Sequence, residues 1–225
     1  HGLRGDKQDN MVESDDYVDP HHQIPVFSLY GQSRRLTPVM LDSFDVLLID
    51  LQDLGCRIYT FLTTLCYMLE DCAQAHKSIW VLDRPNPAGR PIEGLALRLG
   101  QESFVGAHRF PMRHSLTLWE AARWLQHQLQ LDVDLKGFEL SGWQPLEAPG
   151  YGWPLERAWV NPSPNAQSLS MARAYAGTVM LEGTTLSEGR GTTRALEVMG
   201  APDLPIEKLL KDMQQLAPQW MQGVG

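Results

Sequence analysis

The stretch FDVLLID, Phe44 to Asp50, followed by LQDLGCRIYT, residues 51–60, decides how this chain folds. Its first half is a short apolar run with the length and side chains of a strand buried on both faces. Its second half turns abruptly polar, placing Asp50, Gln52, Asp53, Arg57 and Tyr59 just past the strand. From Tyr59 to Ala75 the apolar positions 61, 65, 68, 69 and 72 fall on one helical face. IWVLD, Ile79 to Asp83, then reads as a second buried strand. Strand, helix and strand in that order imply a parallel pair joined by a crossover.

The same alternation extends in both directions. IPVFSL, Ile24 to Leu29, and TVMLE, Thr178 to Glu182, read as further strands, and Asp132 to Leu140 offers another. Thr37-Pro38 has the form of a helix start. Thr117 to Leu129 opens with Thr-x-x-Glu, a capping box closed by Glu120. Ser168 to Tyr175 predicts a short helix, residues 141–165 a long ordered loop, and the segment after Pro205 an amphipathic helix. The fold class expected is α/β, a Rossmann-like, mainly parallel sheet with helices on both faces.

At 225 residues and 43% hydrophobic, the chain can bury one substantial core. A net charge of -8 argues against a nucleic-acid partner, which would need a basic face. The cysteines Cys56, Cys66 and Cys72 are odd in number and lack metal-ligand spacing, so buried free thiols are expected. No apolar run is long enough for a membrane span. The start at His1, without methionine, reads as a fragment lacking its N-terminal part.

Chemistry collects where the predicted strands end, the place at which open α/β sheets bind ligands. The first rim group is Asp50, Gln52, Asp53, Arg57 and Tyr59, and the second is Asp83, Arg84 and Asn86 in DRPNPAG. The third is Glu182 with Glu188 and Arg190 in GTTLSEGRGTT. Any one of these is ordinarily a surface charge or a helix cap; three together point to a site. The glycine-rich run lacks both GxGxxG and GxxxxGK[ST], and Glu188 would repel phosphate, so no nucleotide is expected. No HxxxH or HExxH spacing occurs, so no metal and no cofactor are expected. Paired carboxylates are what glycoside hydrolysis uses, one to protonate the leaving oxygen and the other as base or nucleophile. Glu182, Glu188, Asp50 and Asp53 are available for this, and an ion pair between Glu182 and a nearby arginine is the competing, purely structural reading.

Six blocks in order carry a family likeness: HGLRGD, DVLLIDLQDLGCRIYTFLTTL, VLDRPNPAGRPIEG, SFVGAHRFPMRHSLT, NPSPN and LEGTTLSEGRGTTRALEVMGAP. From His1 to about Pro202 the chain resembles the exo-β-N-acetylmuramidases of bacterial cell-wall recycling, long catalogued as a domain of unknown function. The resemblance implies a Rossmann-like catalytic domain over residues 1–202, with residues 203–225 beginning a linker or a smaller C-terminal domain. It implies an exo-acting glycoside hydrolase that releases N-acetylmuramic acid from the non-reducing end of peptidoglycan fragments. The alternatives are another amino-sugar hydrolase and a non-catalytic sugar-binding domain.

Carried over by position, catalytic roles fall to Glu182, Glu188, Asp53 and His1. The family's glutamate just before that histidine would lead as general acid. Substrate binding falls to Gln52, Arg57, Tyr59, Asp83, Arg84, Asn86, Arg113, His114, Asn165 and Arg190. A lactyl carboxylate calls for a fixed cation, for which Arg57, Arg84, Arg113 and Arg190 are candidates; the acetamido group suits Asn86 or Asn165. Two positions depart from the family pattern: Ser115, where glycine is expected, and Asn161, where proline is expected. The partner expected is a muropeptide sugar, with no nucleic acid and no membrane span. The expected compartment is the periplasm or outside, ahead of the cytoplasm.

Overall fold

A computed structural model of the chain describes residues 13–146, 152–154 and 156–222. His1 and the HGLRGD block lie outside the described residues. The centre is a parallel three-stranded sheet, β3 (Val46–Ile49), β4 (Ser78–Leu82) and β5 (Leu135–Phe138), in the order β3-β4-β5. Helix α2 (Thr60–Gln74) connects β3 to β4, and α3 (Leu118–Gln128) lies between β4 and β5. The α/β class and the parallel sheet are therefore as expected. Thr37 caps the short α1 (Pro38–Leu41), and Thr117 and Glu120 close the capping box of α3.

The strands alternate as their pleat requires. Ile49, Ile79 and Val81 turn inward to Leu62, Leu65, Leu69 and Cys72 of α2 and to Leu118, Ala121, Ala122 and Leu125 of α3. Both crossover helices thus share one face. This is the geometry that right-handed crossovers give when successive strands are added on the same side. Gly137 of β5 admits α3 closely, since a Cβ there would lie 2.2 Å from the Trp119 ring. The opposite face carries Leu48, 56% exposed, and Phe138, 50% exposed. There the Trp80 and Phe138 rings lie 5.6 Å apart and Lys136 Nζ sits 5.5 Å from the Trp80 ring centre.

Two expected strands are absent as such. Ile24 to Leu29 supplies only β2 (Pro25–Val26), which pairs antiparallel with β1 (Tyr17–Val18) and takes no part in the parallel sheet. Pro25 lacks the N–H that a central strand donates, and Ile24 is exposed. Thr178 to Glu182 is not a strand but the end of α4 (Leu169–Thr178) and a 3-10 turn, Val179–Gly183. Ser168 caps α4, and the helix runs on because Tyr175 and Val179, four residues apart, are buried on one face. A five-residue apolar run does not tell strand from helix by itself. The last helix, α5 (Ile206–Leu216), precedes a 3-10 turn, Pro218–Trp220.

A second cluster positions the site. Leu54, Cys56 and Tyr59, just past β3, pack with Met171, Ala172, Tyr175 and Val179 and with Leu196. It ties the polar segment after β3 to the chain's later third.

Candidate functional site

Asp53 lies four residues beyond the last residue of β3, Ile49, and is 5% exposed. Its Oδ2 accepts the Gly55 amide at 2.6 Å and lies 3.1 Å from His114 Nε2. The Leu116 amide donates to His114 Nδ1 at 3.3 Å, which leaves the neutral ring's proton on Nε2, directed at Asp53. The imidazole is fully buried and meets the Phe110 ring edge-on at 5.8 Å. Among the described residues Asp53 Oδ1, although buried, has no hydrogen-bond partner. Among the described residues one carboxylate oxygen is thus held and the other is not.

The other predicted residues past β3 and β4 are bound into the scaffold. Gln52 Nε2 donates to the carbonyls of Asp53 and Pro85, tying the two strand ends together. Arg57 Nη1 donates to the carbonyls of Leu95 and Phe110. Asn86 is buried; its Oδ1 accepts the Ala88 amide and its Nδ2 donates to Leu116, which occupies both ends of the amide. Asp83 Oδ1 accepts the Trp119 amide, and burial holds its carboxyl above the usual aspartate range despite that bond. Arg84 Nε reaches Asp50 at 2.7 Å. Arg113 donates to the Arg173 carbonyl and pairs with Glu93 at 3.1 Å. Asn165 is half-buried in the loop before α4.

The third group arrives from a helix end rather than a strand end. Arg190 pairs through Nη2 with Glu182 and through Nε with Glu188, the latter at 2.8 Å. Gly189 makes this possible: at φ +79° it turns the chain so that both neighbouring side chains meet. Burial disfavours the Arg190 charge, but the two carboxylates outweigh it and hold the guanidinium more firmly protonated than usual. Glu188 is 12% exposed, so this is a partly buried cluster.

Tyr59 and Tyr175, edge to face at 6.1 Å, link the groups. Burial raises both phenols, and they stay neutral; Tyr59 also feels Asp53, and Tyr175 feels Glu182 and Arg190. Sequence reading passed over Tyr175 as one residue of a helix, and only the fold pairs it with Tyr59. It also passed over Arg90, which grips Glu120 with both Nη atoms at 2.6 and 2.8 Å. Among the described residues no three His, Cys, Asp or Glu side chains gather as a metal would require.

Comparison with known proteins gives a consistent match. The family described as exo-beta-N-acetylmuramidase NamZ, N-terminal, matches residues 1–170, and its C-terminal counterpart matches residues 173–225. The chain is 37% identical over 218 residues to the peptidoglycan beta-N-acetylmuramidase NamZ of Bacillus subtilis (strain 168), covering 96% of this chain and 51% of that protein. It resembles the crystal structure of a DUF1343 family protein from Bacteroides fragilis NCTC 9343. That match has a TM-score of 0.74 and 31% identity, over 88% of this chain and 52% of the other. A second DUF1343 family protein from the same strain matches with a TM-score of 0.72 and 29% identity, over 83% and 50%. The chain thus spans about half the length of these relatives.

Proposed function

The chain belongs to the exo-beta-N-acetylmuramidase NamZ family, and from that premise we propose that it supplies the Rossmann-like part of an exo-acting glycoside hydrolase. The reaction releases N-acetylmuramic acid from the non-reducing end of peptidoglycan fragments. The observation that carries the reading is the grouping of Glu182, Glu188 and Arg190 beside the Tyr59–Tyr175 pair that Asp53 also borders. Departure of a glycosidic oxygen leaves positive charge on the sugar ring, and a partly buried carboxylate stabilises it better than a solvated one. Arg190 pairs with both glutamates and fixes their positions. Asp53 is steadied by His114 through one oxygen and lies next to Tyr59 at the edge of this group.

A turnover assay on a chromogenic N-acetylmuramide beside the matching N-acetylglucosaminide tests this. It is run on the 225-residue chain and on a polypeptide of the relatives' full length. Faster release from the muramide in the longer polypeptide is the expected result. Binding of the muramide without turnover there would make the chain part of a sugar-binding protein instead. A peptidoglycan substrate favours the periplasm or the outside of the cell over the cytoplasm, which cell fractionation checks.

A further inference from the structure

We propose that Arg90 is a positioning residue for the Asp53–His114 pair, acting through the backbone of Ser115. The inference rests on the reading of Asp53 as part of the sugar site, and its primary test is independent of turnover. Ser115 follows His114 at φ +65°, a left-handed conformation that crowds the Cβ of any residue with a side chain. That turn brings the Leu116 amide back onto His114 Nδ1, and so decides which ring nitrogen carries the proton. Rotation of Ser115 into the ordinary right-handed or extended region would carry the Leu116 amide away. The turn therefore has to be held from outside.

Arg90 holds it. Its Nη1 donates to the Ser115 carbonyl at 3.2 Å, while Nη1 and Nη2 together grip the Glu120 carboxylate. Glu120 Oε2 in turn accepts the Thr117 amide at the start of α3. One planar guanidinium thus joins the left-handed residue to the first turn of a helix. Its flat face lies 4.4 Å from the centre of the Trp143 ring. Asn86 fixes the next carbonyl, that of Leu116, at 3.0 Å. Lysine could not replace this fork, because a single ammonium cannot grip a carboxylate side-on and reach a carbonyl in the same plane.

The test is an imidazole nitrogen–proton correlation spectrum of the chain with histidine labelled by nitrogen-15, which reports the His114 tautomer. The unchanged protein is expected to show His114 with its proton on Nε2 alone. Arg90→Met keeps an unbranched apolar side chain but frees the Ser115 carbonyl, and is expected to give a mixture of the two tautomers. Adding Ser115→Gly, which removes the advantage of leaving the left-handed region, is expected to recover most of the single tautomer. Arg90→Lys is expected not to. Glu120→Gln, which weakens the grip from its other end, provides the same reading should Arg90→Met fail to fold. A folded Arg90→Met or Glu120→Gln protein with an unaltered His114 spectrum overturns the proposal. If muramidase turnover falls in Arg90→Met while that spectrum stays unaltered, the positioning role is wrong and the functional reading stands. A tautomer shift in a protein with no turnover at all would leave the positioning role and remove the functional reading.

Discussion

Glu188 and Arg190 meet because Gly189 alone separates them, and Nε of Arg190 holds the Glu188 carboxylate at 2.8 Å. Glu188→Gln retains the shape and the Arg190–Glu182 pair. In a polypeptide of the relatives' full length it should lower kcat/KM on the muramide by roughly two orders of magnitude, the scale of losing one preorganised charge. The melting temperature should stay nearly unchanged; near-normal turnover would remove Glu188 from the chemistry. The arginines divide by what already holds them. Arg57 and Arg113 serve backbone carbonyls and Arg190 serves two acids, whereas among the described residues the Arg84 guanidinium is held through Nε alone, by a half-exposed Asp50. Arg84→Ala should therefore raise KM for the muramide by about tenfold or more, as for a lost charged hydrogen bond. KM for the glucosaminide, which lacks the lactyl carboxylate, should change little. An equal loss on both sugars would assign the carboxylate to another cation.

At the scale of elements, two contacts set where the site's parts lie. Gly137 lets α3 sit directly on β5, and α3 carries the Trp119 amide that binds Asp83. Gly137→Ala should cost roughly 1–3 kcal/mol through overpacking against Trp119, read as a fall in the denaturant midpoint. Pairing it with Trp119→Leu should recover part of that loss. Ser168 caps α4, and its hydroxyl also bonds Glu197, which Arg194 holds. Ser168→Ala should cost about 1 kcal/mol, typical of a lost cap. Because α4 continues into the turn bearing Glu182, local hydrogen exchange should rise there first.

Over the whole molecule, burial governs the titrating groups. All three thiols are buried and free, and desolvation pushes Cys56 and Cys66 up to about 12 and Cys72 up to about 11. The folded chain should take up no thiol reagent near pH 8, and three equivalents once unfolded; fast labelling of the native protein would contradict this packing. Glu120 moves the other way. Burial would raise its carboxyl, but Arg90 and the Thr117 cap hold it below the ordinary 4.5. A depressed carboxyl contributes stability above its unfolded value and loses it as pH falls through the folded one. The stability gap between the unchanged chain and Arg90→Met should thus be full near pH 7 and narrow as pH drops below 4.5. Urea midpoints across that range would show it.

The sequence by itself determined the parts whose signal is local. Phe44 to Asp50 and Ile79 to Asp83 read as strands because each is an apolar run bounded by polar residues. Thr117 and Glu120 read as a capping box because their spacing is one helical turn. Glu188-Gly189-Arg190 read as a charged turn because glycine alone tolerates it. The tertiary structure alone decided what depends on distant partners. Thr178 to Glu182 became a helix end because Tyr175 and Val179 share a buried face with Leu54 and Tyr59, some 120 residues earlier in the chain. The same long-range packing separates Asn86, whose amide is occupied at both ends, from Asp53, one oxygen of which has no hydrogen-bond partner among the described residues. It also assigns Arg90 its place, since a guanidinium's role depends on which carbonyl and carboxylate lie within its reach; here the carbonyl is that of Ser115, just before α3, and the carboxylate is that of Glu120 in its first turn.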